Sequence, residues 1–530
     1  MLIVPTSRII LLKNPIEIDY NNELTFSSKT AQYNYFYNLP KLECENATYQ
    51  RKDEVVRFPT DPNLEGVTYD DIIQYNYCMY QNDKWSDKWF YAFVKEVIYD
   101  NPGMCYIKLE TDVWQSWCFD ITFKKSFVER EHVNSDNYGE NTIPEGLETG
   151  EYITGYSFDS TAIGEAHIVM GTTISPVDGS TSVTGGIYGG IYSGLKYYVF
   201  EDYTSLNNAL YRIADNGHSD SIVSLFYCPD WITNYDTATF TNGIAPVPES
   251  NSEVNKSSGL LIPLHPTQID GYTPKNKKCF TYPYISYLVS NNAGGSITYR
   301  LEDFYYNEDT YTAGELQIFG TCCPGASIRL IPKYYKVKDI TFAEEYNNEY
   351  GLTGGKFPVA SWGNDTYTNW LTQNAVNIGL DTIGNTINIA SAQTTTGILS
   401  GVMGILGSVG EIYQHHFNPI QARGNINSGD VTYTLGKLTF SGYLMTVKNE
   451  YIKVIDNYFS MFGYKVNTVK IPNITGRTNW NYVKTIGCNI LGDIPQNDIE
   501  KIKEIFNNGV TLWHNPTYFL DYSQNNTIVT

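Results

Sequence analysis

The chain has 530 residues, 42% of them apolar and 15% aromatic, and carries a net charge of −21. It is too long for one hydrophobic core and too apolar for a disordered chain, so roughly two to four folded domains are expected. The acidity excludes a surface built to grip nucleic acid, because it repels phosphate, yet a negative wall suits a passage to which DNA must not stick.

Tyr occurs 45 times. Tyr, Thr, Ile and Val fit a pleated, half-buried surface, so composition leans to β. The first 13 residues, MLIVPTSRIILLK, are apolar but short. They lack a charged start and a cleavage site and do not read as a signal peptide. Residues 1–150 read as strands with turns. The clearest hairpin runs from Trp89 to Trp117, with Asp100-Asn101-Pro102-Gly103 as its turn and Tyr106-Ile107-Lys108-Leu109-Glu110 resuming a period of two. A further strand is expected over 122–128, ending at Glu129-Arg130-Glu131-His132. Residues 151–340 hold short strands, among them 196–200, 221–228, 278–289, 296–301 and 327–335, between Gly-, Ser-, Thr- and Asn-rich segments, a spacing that suggests sandwiches or barrels.

Near the C-terminus, residues 449–462 read as a helix with Val454, Ile455, Tyr458, Phe459 and Phe462 on one side and Gly463 as its stop. A strand over 480–486 precedes a second helix at about 496–507. Ile499, Ile502, Ile505 and Phe506 form its apolar stripe, Gly509 follows it, and 510–513 is a last strand.

Chemical motifs are sparse. The nine Cys include no C-x-x-C pair and are odd in number, which argues against a zinc site or a disulfide scaffold and for buried free thiols. Gly185-Gly186-Ile187-Tyr188-Gly189-Gly190 lacks the Lys-Ser/Thr end of a phosphate loop and reads as a flexible or close-packed loop. His415-His416 has no third metal ligand nearby. Glu110 with Asp112, and Glu129 with Glu131, are carboxylate pairs at i and i+2, which share a face on a strand. Glycosidases need such a pair across a gap of roughly 5 to 9 Å; solvated strand faces are the simpler and favoured account of both pairs. No cofactor is expected.

Residues 366–410 differ in kind, since Asp381 is their only charge. Their apolar side chains include Ile378, Leu380, Ile383, Ile387, Ile389, Ile398, Leu399, Val402, Met403, Ile405, Leu406 and Val409. A membrane-crossing helix needs about 20 mostly apolar residues, which Asn, Thr and Gln interrupt here. Three readings stand: a buried helix pair, a loop held inside a protein channel or against sister copies that later meets a membrane, and a permanent anchor, against which the polar flanks argue.

Three stretches resemble the tail knob, or distal tail tube, proteins of small short-tailed bacteriophages of the phi-twenty-nine type. The first is Lys88-Trp89-Phe90-Tyr91-Ala92-Phe93-Val94 with Glu110-Thr111-Asp112-Val113-Trp114-Gln115-Ser116-Trp117. The second is Ser126-Phe127-Val128-Glu129-Arg130-Glu131-His132-Val133 followed by Asn141-Thr142-Ile143-Pro144-Glu145-Gly146-Leu147. The third runs from Phe462-Gly463-Tyr464-Lys465-Val466 through Asn481-Tyr482-Val483-Lys484 and Gly492-Asp493-Ile494 to Ile505-Phe506-Asn507-Asn508-Gly509-Val510-Thr511-Leu512-Trp513-His514. The matches occupy roughly the first 150 and the last 90 residues.

The resemblance implies a structural virion protein of the distal tail, made in the host cytoplasm. It implies a hexameric tube of β-barrel modules that contacts the proximal tail tube and tail tip and passes viral DNA without sequence-specific binding. It implies further that residues 366–410 are a hydrophobic loop that plugs the tube and transiently meets the host membrane. The expected fold class is mainly β with a few helices (β/α+β), multi-domain. Residues 1–150 form a tube-type domain, 151–350 a β-rich middle, 351–425 the long loop, and 426–530 an α+β part of the tube wall. The rivals are a cell-wall carbohydrate-binding adhesin or hydrolase of the tail, working through Glu110 or Glu129, and a surface-layer protein, which the lack of an export signal disfavours.

Overall fold

The computed structural model describes residues 7–47, 55–60, 67–81, 88–101, 103–160, 166–181, 183–218, 221–250, 255–256, 259–292, 294–304, 313–324, 327–336, 346–356, 359–360 and 440–529. The apolar loop over 366–410, with Ile378 to Val409, and His415-His416 lie outside them. The chain divides into two units: Met1–Glu148 with Pro274–Cys279 and Glu450–Thr530, and Thr149–Thr273 with Phe280–Asn449.

In the first unit the chain runs β1 (Ser7–Leu12), β2 (Asn22–Leu24), α1 (Lys29–Tyr37), β3 (Lys41–Ala47), β4 (Val55–Pro59), α2 (Tyr69–Ile72), β5 (Tyr77–Gln81), β6 (Trp89–Asn101), β7 (Met104–Thr111), α3 (Val113–Trp117), β8 (Ile121–Phe123) and β9 (Ser126–Glu131). Six strands form an antiparallel sheet in the order β3-β1-β5-β6-β7-β4. The run Ile9-Ile10-Leu11-Leu12 is apolar without alternation because both faces of this sheet are covered. Ile9 and Leu11 join one core with Cys78, Phe90, Ile107 and Leu109, while Ile10 and Leu12 join a second with Tyr77, Met79, Tyr91 and Phe93. Successive side chains on a strand point to opposite faces, so a strand buried twice over needs apolar residues at every position.

The C-terminal elements complete both cores. Val483, Ile499, Ile502, Ile505, Phe506 and Leu512 pack into the first, Trp480 and Trp513 into the second. Each such side chain contributes about 1.5–3 kcal/mol on burial. Their strands form a second sheet in the order β2, Val510–Trp513, Trp480–Ile486, β9, Tyr464–Lys470. In it β2 runs parallel to Val510–Trp513, pairing Glu23 with Leu512, and the other pairings are antiparallel. Both ends of the chain therefore fold as one body.

In the second unit, one five-stranded sheet has the order Ile244–Pro246, Lys196–Phe200, Ala166–Thr172, Ile222–Pro229, Val359–Ala360. A four-stranded sheet has the order Tyr152–Ser160, Phe440–Val447, Ile285–Ser290, Ser296–Tyr299. A further sheet centres on Ala313–Gly320 and Ser327–Lys333. The mainly β, multi-sheet class expected from composition is the class observed.

Several local expectations need correction. The strand expected over 122–128 is two strands, β8 and β9, and Glu129 to Glu131 lie inside the second. The strand expected over 278–289 opens with a 3-10 turn, Lys277–Phe280, and begins only at Ile285. Pro283, which has no N–H for a ladder, stands between them. Of the two readings of Gly185 to Gly190, the close-packed one holds, as a hairpin rather than a loop: Gly189 and Gly190, with φ of 58° and 78°, turn Gly186–Tyr188 to Ile191–Ser193, the positive-φ pair a type I′ turn requires. On helix Asn449–Phe462 the buried side is Ile452, Ile455, Asp456 and Phe459, and Val454 is 68% exposed. The helical repeat of 3.6 carries Val454 away from Ile452 and Ile455. The nine cysteines form no disulfide; Cys78, Cys105, Cys228, Cys279, Cys322 and Cys488 are buried, as expected, whereas Cys44, Cys118 and Cys323 are half-buried.

Candidate functional site

The carboxylate pairs do not assemble as paired acids. Glu110, near the end of β7, is held by Lys95 and by Lys501 at 3.1 Å, and their ammonium groups lower its pKa, the Lys95 hydrogen bond most. Asp112 lies beyond the strand as the N-cap of α3, fully buried, accepting from the Gln115 N–H at 3.0 Å and from Tyr77 Oη at 2.7 Å. Glu129 bridges Lys484 at 3.0 Å. Glu131 is fully buried, paired with Lys470, and accepts the Asn473 N–H at 2.8 Å. Each is occupied by structural contacts of the first unit. Beside Glu110 lies a cavity of about 230 Å³ lined by Asp19, Tyr20, Lys501, Glu504 and Asn508, smaller than most ligand pockets.

The most concentrated polar construction in this unit is a set of buried acids gripping residues Pro274–Cys279. Asp456, on the buried side of helix Asn449–Phe462, accepts the Lys275 N–H at 2.9 Å and the Asn276 N–H at 3.0 Å. Asp136 accepts the Lys277 N–H at 3.1 Å and the Tyr464 hydroxyl at 2.8 Å; burial raises its pKa. Glu145, its side chain wholly shielded, binds both the Arg130 guanidinium and the Lys278 ammonium, and accepts the Lys465 N–H at 2.9 Å. Burial lowers the Lys278 pKa, opposed by Glu145. The sequence offered hints in the stretches that contain Glu145, Arg130 and Lys465, but no signal for Lys278.

Two histidines sit nearby as neutral rings. His132 Nδ1 accepts the Tyr482 N–H at 2.8 Å, so its Nε2 donates to the Ser460 carbonyl at 3.1 Å. Burial first, then Arg477, His514 and Arg130, push its pKa down to about 3. His514 lies 2.7 Å from Thr25 Oγ1 and 3.0 Å from Asn481 Oδ1, and burial lowers it to about 4. No helix among the described residues is long and apolar enough to cross a membrane, and no group of three or more His, Cys, Asp or Glu among them could hold a metal.

What this architecture belongs to follows from its likeness to known proteins. Residues 5–124, which hold the six-stranded sheet, match the family model of the caudoviral major tail protein N-terminus. The protein is thus in the class of structural tail proteins of bacteriophages. Residues 249–527, more than half of the chain, match the C-terminal domain of the tail knob protein gp9 of Bacillus phage phi29, and the chain belongs to that family.

The tail knob protein gp9 of Bacillus phage B103 is 25% identical over 603 aligned residues, covering 97% of each chain. That of phage PZA is 27% identical over 598, covering 95% of this chain and 96% of the relative. That of phage phi29 is 27% identical over 603, with the same coverage. The solved tail knob protein gp12 of bacteriophage C1 shares the fold, with a TM-score of 0.63 and 15% identity over 99% of this chain and 100% of that one. The resemblance drawn from the three sequence stretches holds along nearly the whole chain, and the protein is a structural component of the phage virion's distal tail.

Proposed function

We propose that the protein forms the hexameric distal tube of a short-tailed phage, through which DNA leaves, and that residues 366–410 plug this tube and assist passage through the host membrane. The observation that carries the reading is the joint folding of residues 5–124, similar to a major tail protein, with the C-terminal strands in one unit. A domain with both its ends locked into one body suits a wall that must keep its shape under load, and a head-to-tail contact whose rotation closes makes a ring. On this reading the first unit is the wall, 151–350 supplies a β-rich middle, and the charge of −21 per chain keeps the bore from retaining DNA. The proximal tail tube and tail tip are the expected protein neighbours.

Electron microscopy and light scattering of the purified protein test the ring. Closed rings of about six copies are expected; a monomer at high concentration, with no rings, overturns the proposal. Ile378, Leu380, Ile383, Ile387, Ile389, Ile398, Leu399, Val402, Met403, Ile405, Leu406 and Val409 are the proposed membrane-active residues. Their near lack of charge suits lipid, where a carboxylate would cost about 2.5–3.5 kcal/mol. Deleting 366–410 should leave the rings intact and abolish dye release from liposomes by the low-pH protein. Equal leakage from the deleted protein removes the loop assignment.

A further inference from the structure

Glu23 and Asp112 are both completely shielded from solvent in the first unit. Gln115 stands between them. Its Nε2 donates to Glu23 Oε2 at 2.9 Å and to the Leu24 carbonyl at 2.8 Å, and its backbone N–H donates to Asp112 Oδ1 at 3.0 Å. The Tyr77 hydroxyl occupies Asp112 Oδ2 at 2.7 Å, whereas Glu23 Oε1 has no hydrogen-bond partner. The titratable groups facing the pair are Asp19 and Tyr20 before β2, Tyr77 on β5, Tyr91 on β6, Glu110 on β7 and Cys118 after α3. All are neutral or acidic; the cations around them are Lys95 and Lys501, which bind Glu110, and Lys88, which acts on Cys118 together with Asp120. Two ionised carboxylates side by side in dry surroundings are strongly unfavourable.

We propose that the Glu23 carboxyl is a proton-held latch, protonated in the folded protein beside an ionised Asp112, and that losing this proton to alkaline solvent unseats β2 from the strand Val510–Trp513. β2 is the element best placed to respond. It is three residues long, at the edge of its sheet, and joined to the C-terminal strand by parallel pairing, with Thr511 N–H donating to Asn21 O at 3.0 Å and Thr25 N–H to Trp513 O at 2.8 Å. Short edge elements open before the rest of a domain. Burial, and then the Asp112 charge, hold the Glu23 pKa well above its usual value of 4.5, and Asp112 is itself pushed up to about 6, chiefly by burial. A raised carboxyl binds its proton more tightly folded than unfolded. Its stabilisation is complete below the unfolded value and is lost as pH rises through the folded one.

Hydrogen exchange of the full chain, corrected for base catalysis, tests the latch at the amides of Thr25, Thr511 and Trp513 between about pH 6 and about pH 9. Protection in the native sequence should fall about tenfold or more, while Glu23→Gln, which cannot ionise, should keep it. Should that variant not fold, Asp112→Asn retains an N-cap residue and removes the neighbouring charge, though not the burial, and should lose less protection than the native sequence at the higher pH. Unchanged protection in the native protein, or equal loss in native protein and folded variant, overturns the proposal.

Discussion

Replacing Glu145 with Gln should destabilise the first unit by about 3–5 kcal/mol, because it strands two cations that no longer have water. The Arg130, Glu145 and Lys278 side chains are 10%, 0% and 2% exposed. Removing one partner of such a group leaves uncompensated buried charge, whereas replacing the whole group with apolar residues can be neutral. A domain is commonly stable by only about 5–15 kcal/mol in total. A fall in the urea midpoint at unchanged slope is the expected signature. Adding Lys278→Met to Glu145→Gln should recover part of the loss, since it removes one stranded charge. A midpoint within experimental error of the native protein's would mean that the triad contributes nothing.

Acid should open the same unit through His132. The ring is neutral in the fold, with a pKa near 3, and takes up its proton when unfolded below about 6.5. Its stabilisation is therefore fully present above the unfolded value and is lost as pH falls from about 6.5 towards 3. A shift of this size amounts to a loss on the order of 3–5 kcal/mol at the acid end. His132→Asn, whose side-chain oxygen can accept the Tyr482 N–H but cannot be protonated in this range, should be less stable near neutrality and lose less on acidification. Thermal melts of both proteins across that range check this, and identical acid slopes would rule His132 out as the cause. The buried Glu23 pulls in the opposite direction at higher pH, so the two groups together place maximal stability in mildly acidic to neutral solution.

The residues whose fate was decided locally were legible. Helix Gln496–Asn508 announced itself by Ile499, Ile502, Ile505 and Phe506 at helical spacing and by Gly509, which takes a φ of 97°. Trp480–Ile486, Val510–Trp513 and the hairpin of β6 and β7 were equally clear, because period and turn chemistry act within a few residues, but the hairpin's second arm, expected to reach Trp117, ends at Thr111 and Val113–Trp117 is a helix. Illegible were the features made by distant partners. Glu131 looked like half of an exposed acid pair until Lys470, 339 positions away, and Asn473 closed over it. Asp112 looked like a strand residue until it became a helix cap facing Glu23.

The sequence by itself determined the β class, the family of tail knob proteins and the helices and strands near the C-terminus, since composition, short-range periodicity and characteristic residue stretches are properties of contiguous chain. Only the tertiary structure decided which acids are buried. It joined the first 148 residues with the last 81 and with Pro274–Cys279, and this put Glu145, Asp456 and Glu23 out of reach of water. Burial depends on what packs over a side chain, and in this protein Arg130 reaches Glu145 from 15 positions away and Asn473 reaches Glu131 from 342.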